Sequence, residues 1–119
     1  MTHKQYYEAV TEIQNYTDRD AFTSDVALSI TSLEDADKDI DLVAIAEDIG
    51  RIWDAWHMSI KELRAVTGLS QAAFAGRFLV PRRTLESWES TSSSGRECPS
   101  YTRMMIADLL GLLPERTEE

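Results

Sequence analysis

Ser59-Ile60-Lys61-Glu62-Leu63-Arg64-Ala65-Val66-Thr67-Gly68-Leu69-Ser70-Gln71-Ala72-Ala73-Phe74-Ala75-Gly76-Arg77-Phe78-Leu79-Val80-Pro81-Arg82-Arg83-Thr84-Leu85-Glu86-Ser87-Trp88-Glu89 is where this chain writes its helix boundaries most densely. Ser59 and Glu62 stand at the spacing of a capping box, in which each side chain satisfies the other residue's otherwise unpaired backbone N–H. A helix is therefore expected from Ser59, ending at Thr67-Gly68, where glycine supplies the left-handed conformation of a C-cap. Ser70 caps a second short helix running to Phe78, with Phe74, Ala75 and Phe78 sharing a face. Only Leu79 and Val80 separate it from a third helix, Pro81 to Glu89, whose first turn Pro81 presets. Leu85 and Trp88 fall on the inner side of that helix, and Arg83, Glu86 and Ser87 face outward.

Outward from this stretch, the run Ser90-Thr91-Ser92-Ser93-Ser94-Gly95 reads as a connection. Pro99 then opens a last helix through Leu110, with Tyr101, Met105, Leu109 and Leu112 on one side. On the N-terminal side, Tyr6, Val10 and Ile13 recur at helical spacing. Phe22, Val26, Ile30 and Leu33 do so again after a possible Asp20 cap. The acidic run Glu34-Asp35-Ala36-Asp37-Lys38-Asp39-Ile40-Asp41 is a second connection, and Asp39 or Asp41 is available to cap a longer helix. Leu42, Ile45, Ile49, Ile52 and Trp56 mark one face of that helix, with Glu47, Asp48, Arg51 and Asp54 on the polar face. No segment shows the period-two alternation of a strand, so the expected class is all-α.

The sequence has 119 residues, 43% of them hydrophobic, enough for one compact domain or for a small domain with an accessory segment. Its net charge of −9 is unevenly spread. Residues 1–56 carry four basic against thirteen acidic residues, whereas His57 to Leu113 carry seven basic against five acidic ones. This asymmetry suggests two segments with different partners: 1–56, an acidic helical accessory segment for dimerisation or partner binding; 57–113, a second domain; and 114–119, a tail. No apolar run approaches a membrane span and the start lacks a signal-peptide core, so the chain is read as cytoplasmic, with no membrane partner. Cys98 is the single cysteine and His3 and His57 the only histidines. No disulfide, metal site or cofactor is expected from them, and no nucleophile–base constellation points to an enzyme. Trp53, Trp56 and Trp88 stand at helical phase and are read as structural.

The quoted stretch resembles the Xre/Cro type of helix-turn-helix, the phage-repressor-like domain, over about half of the chain. The resemblance rests on Gly68 to Gln71, Phe74-Ala75, the short turn at Leu79-Val80, and Trp88-Glu89. It implies a compact helical bundle with a helix-turn-helix motif, preceded by the acidic helical segment. It also implies a transcriptional regulator, as a repressor, that binds a double-stranded DNA operator as a homodimer, with one helix inserted in the major groove. Arg82, Arg83 and Ser87 stand where the family reads base edges, and arginine bridges guanine O6 and N7 with two hydrogen bonds. Gln71 matches the phosphate-anchoring glutamine, with Ser70 assisting. Thr84 is placed to touch phosphate or a thymine methyl, and Glu86 to accept from cytosine N4. Arg64 and Glu89 match a pair that many members use to tie the first helix to the end of the recognition helix.

Departures from the family pattern are specific. Leu79 occupies a turn position where glycine is frequent, which matters only if φ is positive there. Pro81 replaces the usual Ser or Thr cap, and the connection from Glu89 to Pro99 is longer, so an extended, mobile loop is expected. The acidic half leaves two readings open, dimerisation or capture of a basic protein partner as in antitoxins that resemble the family and repress their own operon. The alternative for the whole chain is a protein-interaction module on a helix-turn-helix scaffold without DNA binding.

Overall fold

The structure, a computed structural model, describes residues 1–31, 41–93 and 95–118. Among the described residues there are seven α-helices, a single 3-10 turn at Ile13–Asn15 and no strand. The helices are α1 (His3–Glu12), α2 (Arg19–Ile30), α3 (Leu42–Trp56), α4 (Ile60–Thr67), α5 (Gln71–Phe78), α6 (Arg82–Glu89) and α7 (Ser100–Leu109). The all-α expectation holds. No helix is long and apolar enough to cross a membrane. The chain divides into two compact units, Met1–Ala55 with Leu113–Glu119, and Trp56–Leu112.

In the N-terminal unit, α1 begins with a capping box between Thr2 and Gln5, whose side chains each receive the other's backbone N–H. The cap of α2 is Asp18, not Asp20. The Asp18 carboxylate accepts from the Ala21 N–H at 2.8 Å, and Asp20 falls inside the first turn. Both residues carry the right acceptor, and the one three residues ahead of a free N–H takes the role. Asp41 caps α3 by accepting from the Ala44 N–H. The alternative cap Asp39, the acidic run up to Ile40, and Leu33 lie outside the described residues. Ala9, Ile13, Phe22, Val26, Ile30, Ile49 and Ile52 form the core, with Phe22 against Trp53 and Tyr16. Residues 114–118, read from the sequence as a tail, return to the start of α1. The Thr117 N–H donates to the Met1 carbonyl at 2.9 Å, and the Arg116 guanidinium lies 4.3 Å from the Tyr6 ring centre.

In the C-terminal unit, α4 packs against α5, α6 and α7. Ile60, Leu63, Phe74, Ala75, Leu85, Cys98, Met104, Ile106 and Ala107 are buried there, while Phe78 and Trp88 are only half-buried. The Ser59–Glu62 box, the Gly68 cap at φ +70° and the Ser70 cap all form where the sequence places them. Two proline positions shift by one residue. Pro81 and Pro99 are N-caps with extended ψ, and the helices start at Arg82 and Ser100. The apolar side that spacing marks on α7 is not the buried one. Tyr101, Met105 and Leu109 are exposed at 71%, 57% and 71%, and the helix buries Met104, Ile106 and Ala107 instead. Arg103 clamps the entry to the unit, donating at 2.6 Å to the carbonyls of both Trp56 and Met58.

Candidate nucleic-acid interface

The connection Leu79-Val80-Pro81 turns the chain sharply between α5 and α6. Leu79 adopts the left-handed conformation, φ 57° and ψ 37°, and is the one non-glycine residue with positive φ among the described residues. The turn closes because the Val80 N–H donates to the Ala75 carbonyl at 2.9 Å, the long bond of a Schellman-type helix end. Leu79 thus does what glycine ordinarily does, with its side chain 90% exposed. Its bulk contributes nothing to the core, and its backbone carries the strain of an L-residue in this region.

Beneath the turn, α6 is fixed by one apolar contact and one polar cluster. Leu85 is fully buried. At the far end of the helix, Arg64 meets Glu89 through two nitrogen–oxygen distances of 2.8 Å and donates a third bond to the Leu69 carbonyl. The pair expected from the resemblance is thus formed. Its side chains are 21% and 5% exposed. Hydrogen bonding from Arg64 holds the Glu89 carboxyl below its ordinary value, against the opposing effect of burial. Gln71 joins the same cluster, its amide nitrogen 3.3 Å from Glu89.

The outer surface of α6 presents Arg82, Arg83 and Glu86 to solvent, with Thr84 and Ser87 half-buried. Arg82 is paired with Glu86 one turn on, at 3.1 Å, while Arg83 has no ion-pair partner among the described residues. Because Pro81 has no side-chain oxygen to offer, the first turn of α6 has no side-chain cap. Its N–H groups remain directed outward beside the two arginines. Ser70 spends its oxygen accepting from the Ala73 N–H as the cap of α5.

The loop after Glu89 does not run out extended. The Arg96 N–H donates to both the carbonyl and the hydroxyl oxygen of Ser87, which brings Arg96 back to the C-terminal end of α6. Gly95 makes this possible, since a Cβ there would stand 2.8 Å from the Ser90 carbonyl oxygen. The predicted residues Ser70, Gln71, Arg82, Arg83, Thr84, Glu86 and Ser87 therefore divide by what they do. Arg82, Arg83 and Glu86 form an open charged face, Ser70, Gln71 and Ser87 hold helix ends together, and Thr84 is half-buried on α6 with neither role. Arg96 joins the neighbourhood without a sequence signal, because a serine-rich loop fixes no register. Cys98 is buried and desolvation pushes its thiol up to about 11, so it is a packing residue here. Compared with protein families, curated proteins and solved structures, the chain matches none of them.

Proposed function

We propose that the C-terminal unit is a sequence-specific double-stranded DNA-binding domain, with α5 and α6 as a helix-turn-helix and α6 entering the major groove. The observation that carries this reading is the outer face of α6. Two adjacent exposed arginines stand at an uncapped helix N-terminus, on a helix pinned at Leu85 and at Glu89. Arginine side chains reach base edges, and exposed N–H groups favour a phosphate. In this reading Arg83 contacts guanine directly, and Arg82 exchanges Glu86 for a base or phosphate, a small cost for an exposed pair. Glu86, once released, accepts from cytosine N4, and Thr84 meets the backbone or a thymine methyl. Gln71 and Ser70 set the position of α5 over a phosphate, and Ser87 has a hydroxyl proton left to donate.

The operator is read by two copies of the chain, which matches the two-fold symmetry of palindromic sites. Tyr101, Met105 and Leu109 recur at four-residue steps on α7, an apolar stripe outside the core of a unit whose charges nearly balance. A second copy can cover that stripe without bringing two strongly charged units together. Occupying an operator makes the protein a transcriptional regulator, in the simplest case a repressor, and places it in the cytoplasm with the DNA.

Selection of bound sites from random duplexes tests the reading, followed by titration of the best site at two salt concentrations. A palindrome is expected, with affinity falling steeply as salt rises. Arg83→Ala should cost roughly 1 to 3 kcal/mol on the best site and relax one base position. Absence of any preferred sequence overturns the proposal.

A further inference from the structure

The N-terminal unit carries an apolar feature that the DNA reading does not use. Between α2 and the first half of α3 lies an open groove of about 500 Å³, lined by Thr23, Ala27, Leu28, Leu42, Val43 and Ala46 with Arg19 and Glu47 at its polar margin. Three large apolar side chains stand exposed along it, Leu28 at 65%, Val43 at 69% and Leu42 at 44%. Ala27 and Ala46 keep the floor low. A groove of this shape accepts the apolar edge of a helix.

Two of its polar side chains, Arg19 and Thr23, are already engaged, and Ser24 and Glu47 complete the polar lining. Arg19 is bonded twice to Asp54, and the Thr23 hydroxyl donates to the Asp20 carbonyl. A small polar ligand would find few groups to fix it. Glu47 has no ion-pair partner among the described residues, and Asp41 stands at the start of α3 immediately before Leu42. The whole unit, Met1–Ala55 with Leu113–Glu119, holds sixteen acidic against five basic residues. That excess decides between occupants. A second copy would bring two strongly negative surfaces together, which opposes association, whereas a cationic partner is attracted and steered.

We propose that this groove docks a basic amphipathic helix of another protein, its apolar edge on Leu28, Leu42 and Val43 and its lysines or arginines toward Glu47 and Asp41. The proposal stands independently of DNA binding by the C-terminal unit.

The test uses the full chain and a fluorescent synthetic helix of about 18 residues, leucine on one face and lysine elsewhere, long enough to hold helical structure when docked. Comparators are a scrambled peptide of the same composition and one with glutamate in place of lysine. At roughly 0.15 M salt, where long-range attraction is screened, the amphipathic basic peptide should bind at least about tenfold tighter than either comparator. Leu28→Gln with Val43→Gln, both at exposed positions, should remove at least about tenfold of that affinity while leaving thermal unfolding in place. Glu47→Lys should weaken it by a smaller factor. Equal binding of the scrambled or the glutamate peptide overturns the proposal, as does no binding at all. It is equally overturned if the double variant binds unchanged, or if it turns a dimeric wild type into a monomer, since the occupant would then be a second copy.

Discussion

Arg64 meets Glu89 in the C-terminal unit, and Arg19 meets Asp54 in the N-terminal unit, through nearly the same two-bond geometry: 2.8 and 2.8 Å in one, 2.9 and 3.1 Å in the other. The surroundings differ. The first pair is 21% and 5% exposed, the second 47% and 57%. Distance alone does not set the worth of an ion pair, because water screens an exposed pair and offers a buried carboxylate little in exchange for its cation. The same contrast separates the two exposed apolar surfaces. The α7 stripe lies on a unit of nearly balanced charge, whereas the α2/α3 groove lies on a strongly acidic one, so the occupants proposed for these chemically similar faces differ.

The largest expected effect comes from breaking the buried pair. Arg64→Met or Glu89→Gln alone should destabilise the chain by about 2 to 4 kcal/mol, somewhat below the value for fully buried pairs, because one charged group is left without its partner. A double-mutant cycle in urea should return a coupling well above about 0.5 kcal/mol, since the residues share two hydrogen bonds. Additive losses would make the two units alike and remove the contrast. pH sharpens it further. The folded state depresses the Glu89 pKa, so its contribution is complete above the ordinary carboxylate range and is lost as pH falls through the depressed value. The stability gap between wild type and Glu89→Gln should therefore be widest near neutrality and close in acid. A gap independent of pH would show that Glu89 acts by packing alone.

What the sequence made legible follows the same division. The boundaries of α4 and the start of α5 are legible because capping is local: Ser59, Glu62, Gly68 and Ser70 act on N–H and C=O groups within a few residues. Asp18 and Asp20 show the limit of that logic, since two equivalent acceptors two positions apart give no basis for choosing. The buried face of α7 is ambiguous for a related reason. Tyr101, Met105 and Leu109 alternate around the helix with Met104, Ile106 and Ala107, so periodicity offers two apolar stripes and only tertiary packing selects one. The bonds of Arg103 to Trp56 and Met58, and of Arg96 to Ser87, leave no trace in spacing because loops set them. Arg64 and Glu89 were paired only through the family resemblance. Nothing in a 25-residue separation announces it.

A middle-sized effect is expected at the turn between the helices. Leu79 holds a positive φ with its side chain almost wholly in solvent, so replacement by glycine loses no packing and relieves the left-handed strain. Strain of about 1 to 2 kcal/mol, set against the greater freedom glycine gives the unfolded chain, predicts a net gain of about 0.5 to 1 kcal/mol. Leu79→Val should act oppositely, because a branched Cβ is more costly in this conformation. Urea midpoints that order the three as glycine above leucine above valine support the assignment. A glycine variant less stable than wild type would mean that the Leu79 side chain has a partner outside this chain's core.

The smallest effect should belong to Arg19 and Asp54, and two independent routes reach it. Removing the charges in a cycle of Arg19→Met and Asp54→Asn should return a coupling of no more than about 1 kcal/mol, falling further as salt rises. The second route is steric. Gly50 is buried on α3 directly beneath the Arg19 guanidinium, and a Cβ built there would collide with that group, the mobile end of a long side chain. Gly50→Ala must therefore push Arg19 aside and loosen its hold on Asp54, while the alanine itself favours the helix by about 1 kcal/mol over glycine. If the exposed pair is as weak as its surroundings imply, the two contributions nearly cancel, and Gly50→Ala unfolds within about 0.5 kcal/mol of wild type or slightly above it. A loss of more than about 1 kcal/mol, abolished when Asp54→Asn is already present, would show that the exposed pair rivals the buried one. Burial would then no longer explain why the two pairs differ.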